Sequence, residues 1–137
     1  MKTAWILLPI FLLGGGSAHA LDTYCLMKGG TLHAGTETTR DWYVVNDTVR
    51  KPQLPGQKKA SIGCSISFHS IGQMYRPIEI VTKPKLGQAK TGHYRLYYRS
   101  AKNGNDLVTV RFHRVGRTGA LESSVVHYRI QILDRPL

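Results

Sequence analysis

Arginine, histidine and tyrosine recur at alternate positions toward the end of the chain: Arg95, Tyr97 and Arg99, then Arg111 and His113, then His127 and Arg129. Side chains two residues apart share one face of a β-strand, so each set belongs on a single surface. Asn103-Gly104 lies between the first two sets, and Asn-Gly between alternating runs signals a tight hairpin. A hairpin pairing Leu96 with Val110 sets Arg95 opposite Arg111, Tyr97 opposite Thr109 and His93 opposite His113. A third strand beside it brings His127 and Arg129 to the same surface. Like charges directly opposite one another destabilise a sheet. A face that keeps them is therefore suited to an anion, because arginine forks match carboxylate, sulfate or phosphate oxygens. Tyr97 adds a flat surface for a sugar ring or a base. The competing reading is a solvated face on which long side chains splay apart and an offset register relieves the clash.

Other chemistries find less support. His93, His113 and His127 are imidazoles of the kind that bind zinc or copper, but no short His-x-His or His-x₃-His spacing joins them, and the arginines repel a cation. The same histidines charge below about pH 6.5 and would strengthen anion binding in acid. Glu37, Asp41, Asp47, Glu79, Asp106, Glu122 and Asp134 are scattered, without a pair placed for general acid–base work. Gly63-Cys64-Ser65 is not a nucleophile elbow, and Gly14 to Gly16 belong to the N-terminal segment and not to a phosphate loop. We expect neither an enzyme nor a cofactor. Asn46-Asp47-Thr48 fits a glycosylation sequon, which matters only in a host with that machinery.

Charge supports the anion reading. Nineteen lysines and arginines face eight acids, for a net charge of +11 spread along the whole chain. Such a field favours polyanions: anionic polysaccharide, lipopolysaccharide or another envelope polymer.

The N-terminus has the form of an export signal. Lys2 precedes an apolar run from Trp5 to Leu13, Gly14 to Ser17 loosen the chain, and Ala18-His19-Ala20 fits a signal-peptidase site. The run is shorter than the roughly 20 residues a spanning helix needs. A buried core helix and an uncleaved anchor are the competing readings. Cleavage after residue 20 leaves a domain over 21–137 that loses one lysine and no acid, hence a charge of +10. No cysteine stands at the cut to take a lipid, and 21–137 contains no second apolar run of membrane length. A periplasmic or secreted product follows, and export argues against nucleic acid as the partner. Cys25 and Cys64 are then expected to form a disulfide, as paired cysteines do in oxidising compartments. Closing their loop would stabilise the fold by about 3–4 kcal/mol.

The elements that must position these residues are strands. Ile62, Cys64, Ile66 and Phe68 alternate with polar residues, as do Ile78 and Ile80, then Tyr94, Leu96 and Tyr98. Val108, Val110 and Phe112 follow, then Val126, Tyr128, Ile130 and Ile132. Lys83 to Gly87 reads as a turn. Thr23 to Met27 and Trp42 to Val45 are further strands, Leu32 to Arg40 an extended or loop segment, and Lys51 to Lys59 an exposed Pro/Lys loop. About seven short strands suggest an all-β, immunoglobulin-like β-sandwich with one disulfide, with a small β-barrel as the alternative.

The run Ile78 to Gly87, the tyrosine-rich strand, and Gly104-Asn105-Asp106 opening Leu107 to Phe112 together resemble bacterial immunoglobulin-like or cadherin-like surface modules. Those modules carry a Pro-x-x-Gly turn, an aromatic strand and a Gly-x-Asp before the next strand. The likeness spans about a third of the chain. It implies a sandwich used for adhesion or scaffolding and carries no catalytic residue across. This chain departs from the pattern in being a single copy, disulfide-linked and basic. Two non-enzymatic readings lead at this point, ahead of a small enzyme whose mark would be a concave pocket holding a carboxylate with a raised pKa. One is a non-enzymatic module that contacts an anionic envelope polymer through Arg95, Tyr97, Arg99, Arg111, His113, His127 and Arg129. The other is a protein-interaction or inhibitor domain that docks on another exported protein through the Lys51 to Lys59 loop.

Overall fold

The computed structural model describes residues 24–28, 37–51, 55–56 and 63–137. Eight strands run through them: β1 (Cys25–Lys28), β2 (Glu37–Val45), β3 (Cys64–Ser67), β4 (Glu79–Thr82), β5 (Gln88–Gly92), β6 (Arg95–Arg99), β7 (Gly104–Val115) and β8 (Leu121–Leu133). They form a five-stranded sheet in the order β1-β2-β8-β7-β4 and a three-stranded sheet in the order β3-β6-β5. Two separate sheets make a sandwich and not a barrel. Neighbouring strands are antiparallel except β2 and β8, which run parallel from Glu37↔Val125 to Val45↔Leu133.

Alternation decides which side chains meet between the sheets. Trp42 and Val44 of β2, Val108, Val110 and Phe112 of β7, and Val126, Tyr128, Ile130 and Ile132 of β8 point inward from the large sheet. Cys64, Leu96 and Tyr98 answer from the small one, and Phe68 and Ile78 fill the ends. Trp42 lies 5.9 Å from both Tyr98 and Tyr128, and Phe68 4.4 Å from Phe112, in tilted or edge-on contacts that aromatic quadrupoles favour. Each fully buried large apolar side chain contributes about 1.5–3 kcal/mol.

Two further ties join the sheets. Cys25 on edge strand β1 and Cys64 on edge strand β3 form the disulfide. Arg50, 3% exposed, donates Nε to the Val45 carbonyl at 2.7 Å and Nη2 to Cys64 Sγ at 2.9 Å beside that bridge. Asp106 of β7 is the second tie. Its carboxylate accepts the backbone N–H groups of Lys85, Leu86 and Gly87 at 2.8–3.1 Å and the Tyr98 hydroxyl at 2.7 Å.

The structure corrects several expectations. Asn103-Gly104 does not close a hairpin: β6 and β7 belong to different sheets, so Leu96 does not pair with Val110. The residues between them cross the sandwich edge. Asn46 holds this crossing by donating to the Ala101 carbonyl at 3.1 Å and to Asn103 Oδ1 at 2.7 Å. Leu96 and Tyr98 face the apolar side chains of β7 and β8 across the core, which side-by-side pairing would forbid. Glu37 to Arg40, expected as an extended or loop segment, begins β2, because the parallel ladder with β8 engages it in spite of its polarity. Strand β5 was not expected at all, since its sequence Gln-Ala-Lys-Thr-Gly lacks apolar alternation. Residues 1–20, and most of the Lys51 to Lys59 loop, lie outside the described residues. Among the described residues, no helix is long and apolar enough to cross a membrane.

Candidate anion-binding face

The outward-pointing residues divide between opposite sides of the sandwich. Arg95, Tyr97 and Arg99 stand on β6, at the centre of the three-stranded sheet. Arg111 and His113 on β7, and His127 and Arg129 on β8, stand on the outer face of the five-stranded sheet. Arg95 is therefore not opposite Arg111, nor Tyr97 opposite Thr109. His93 sits in the two-residue turn between β5 and β6 and is not opposite His113, so the three histidines are not brought together.

On the large sheet each of these basic groups meets a carboxylate. Arg129 donates to Asp41 at 2.9 Å, and Arg111 Nη1 lies 3.6 Å from Glu79. His113 Nε2 lies 3.3 Å from the same Glu79, and His127 Nε2 hydrogen-bonds Glu37. The parallel β2–β8 ladder supplies Glu37 and Asp41 from a segment some ninety residues away. Counted over its five strands, this sheet carries five lysines and arginines against five acids, with His113 and His127 besides.

Thr109, His127 and Glu37 form a hydroxyl–imidazole–carboxylate string, with Thr109 Oγ1 2.8 Å from His127 Nδ1. Thr109 is only 3% exposed, so its hydroxyl orients the ring and does not face a substrate. Among the described residues, no group of three or more His, Cys, Asp or Glu is arranged to hold a metal ion.

The small sheet differs. Its three strands carry Lys90, Arg95 and Arg99 and no acid. The carboxylate that reaches this side is that of Asp47, from the 3₁₀ turn after β2, which pairs with Arg99 Nε at 2.7 Å. The strand register places Ser65, Tyr97 and Lys90 in one row, and Gln88 beside Arg99 in the next. Lys90 Nζ lies 5.6 Å from the Tyr97 ring centre, and Arg95 donates to Ser65 Oγ at 3.3 Å. A groove of about 730 Å³ runs along this surface, lined by Gln88, Lys90, Tyr97 and Arg99 among others. Such a surface offers fixed cations, a π face and neutral hydrogen-bonding groups together, which suits a hydroxyl-rich anion.

Lys90 and Gln88 escape sequence reasoning because β5 has no hydrophobic period. The available signal was positional: Gln88, Lys90 and Gly92 alternate immediately after the Pro84–Gly87 turn.

One end of this sheet is held by an unusual turn. Tyr94 has φ +57°, a left-handed conformation that costs a non-glycine residue about 1–3 kcal/mol. Its hydroxyl accepts the Met74 N–H at 3.1 Å, its carbonyl accepts the Phe68 N–H at 2.8 Å, and its ring stacks on His69 at 5.0 Å. These contacts over-determine the turn that sets the β5–β6 register. No protein family, curated protein or solved structure matches the chain.

Proposed function

We propose that this protein is an exported, non-enzymatic binding module that contacts an anionic envelope or surface polymer through the outer face of its three-stranded sheet. The observation that carries the reading is the charge asymmetry between the sheets. The strands of one balance five cations against five anions, while those of the other carry three cations and no acid. Lys90, Arg95, Tyr97 and Arg99 are the contact residues. Arg111, His113, His127 and Arg129 meet carboxylates on the opposite face instead. Export is supported by the signal-like residues 1–20 and is in keeping with the Cys25–Cys64 disulfide. Through Asp106 the Gly-Asn-Asp segment clamps the Pro-Lys-Leu-Gly turn, and the immunoglobulin-like or cadherin-like character of the module remains part of the proposal.

The test compares two double variants that remove equal charge from opposite faces. Lys90→Gln/Arg95→Gln should abolish retention on an acidic polysaccharide at low salt, whereas Arg111→Gln/Arg129→Gln should retain most of it. Equal loss in both would mean that net charge alone binds the polymer, and the face assignment would fall.

A further inference from the structure

The position of Tyr97 narrows the class of polyanion. Gly92 lies diagonally across from Tyr97 on the outer face of the small sheet. A Cβ built on Gly92 would stand 3.0 Å from Tyr97 Cε2 and 3.6 Å from its hydroxyl oxygen. The Cε2 and hydroxyl end of the ring thus reaches over the backbone of β5 at Gly92, into space that a Cβ would fill.

Lys90 Nζ lies 5.6 Å from the ring centre. Arg95 and Arg99 stand one step of the strand face before and after it, about 7 Å each way. The exposed side chains of Ser67 and Gln88 are neutral hydrogen-bonding groups on the same surface. A polyphosphate has no ring to place on Tyr97. A single-stranded nucleic acid does, but such strands are held by successive aromatic platforms, and the outward face of the three strands offers one aromatic side chain. A carboxylated hexose polymer uses every part. The apolar face of one sugar ring covers Tyr97, its hydroxyls meet Ser67 and Gln88, and flanking carboxylates meet Lys90 and Arg95.

We infer that the face reads an acidic polysaccharide built from uronic-acid units, and that Gly92 is a specificity residue because a side chain there would displace the Tyr97 ring. This inference rests on the basic-face reading above.

The experiment measures binding of the oxidised protein to polygalacturonate, polyphosphate and oligothymidylate at one low ionic strength. Tyr97→Phe, Tyr97→Leu and Gly92→Ala are compared, with melting curves reporting that each remains folded. Tyr97→Phe should bind polygalacturonate like the parent, while Tyr97→Leu and Gly92→Ala should each weaken it about tenfold and leave polyphosphate within about twofold. Parallel losses on polygalacturonate and polyphosphate, or no loss on either, would overturn the role of the ring. Oligothymidylate binding more tightly than polygalacturonate and losing most in Tyr97→Leu would make the ligand a nucleic acid. Failure of the parent protein to bind all three would instead bring down the basic-face reading itself.

Discussion

Asp106 concentrates more of the fold's polar order than any apolar residue around it. Burial by itself pushes its carboxyl pKa up. The N–H groups of Lys85, Gly87 and Leu107 and the Tyr98 hydroxyl outweigh that effect and hold it below the ordinary carboxylate value. Burial and the same carboxylate push the Tyr98 phenol well above its usual range. A depressed folded-state pKa means that the extra stability is fully present above the unfolded value, about 4, and is lost as pH falls through the folded one. Asp106→Asn keeps the shape but leaves at least one donor without an acceptor, so it should lower the unfolding free energy by about 2–3 kcal/mol. Acid titration of its melting temperature should also flatten relative to the parent. Gly87 is bound to the same cluster: a Cβ there would lie 2.4 Å from the Tyr98 hydroxyl and 2.5 Å from the Arg99 carbonyl. Gly87→Ala should therefore destabilise by an amount of the same order, about 1–3 kcal/mol, measurable by urea unfolding. Gly-Asn-Asp and Pro-Lys-Leu-Gly were both legible in the sequence as turn-like motifs. Their contact was not, because it spans some twenty residues and depends on β7 lying in the other sheet from β5 and β6.

At the scale of elements, the parallel β2–β8 ladder decides which basic residues are neutralised. It sets Asp41 beside Arg129 and brings Glu37 onto His127. Glu37→Gln/Asp41→Asn should convert the large sheet into a second basic face and raise polyanion affinity a few-fold at low salt. Unchanged affinity would mean that these exposed pairs are already screened by solvent, as surface ion pairs often are. The disulfide acts at the same scale, tying an edge strand of one sheet to an edge strand of the other. Cys25→Ser/Cys64→Ser should cost about 3–4 kcal/mol, read as a lower melting temperature that no longer responds to reductant. Strand β5 shows why elements can be invisible in sequence. With its outward Lys90 and Gln88 exposed and little apolar content, it is held by backbone pairing with β6 and by the Tyr94 turn.

For the whole molecule, the distribution of charge matters more than its sum. A net +11 predicts attraction to any polyanion, yet the large sheet's strands are neutral in balance and the small sheet's are not. Binding to acidic polysaccharide should weaken steeply with ionic strength, because exposed charges are screened within about 10 Å at 0.1 M salt. Affinity measured from low to moderate salt checks this. A flat response would point to a packed, apolar interface instead.

The all-β character, the inward and outward residues of β6, β7 and β8, the paired cysteines and the basic character are legible in the sequence alone. These follow from a two-residue period, from composition and from turn chemistry, all local properties of the chain. The parting of β6 and β7 into different sheets is set by packing across the core. It places Arg95, Tyr97 and Arg99 with Lys90, and gives Arg111, His113, His127 and Arg129 to carboxylates on the opposite side. The reason is physical. A strand's alternation says which side chains are buried, but the same apolar face can pack beside its neighbour or against it. Here that choice is made by contacts distant in sequence: Asn46 with Asn103, Asp106 with Lys85 to Gly87, and Leu96 and Tyr98 with the core.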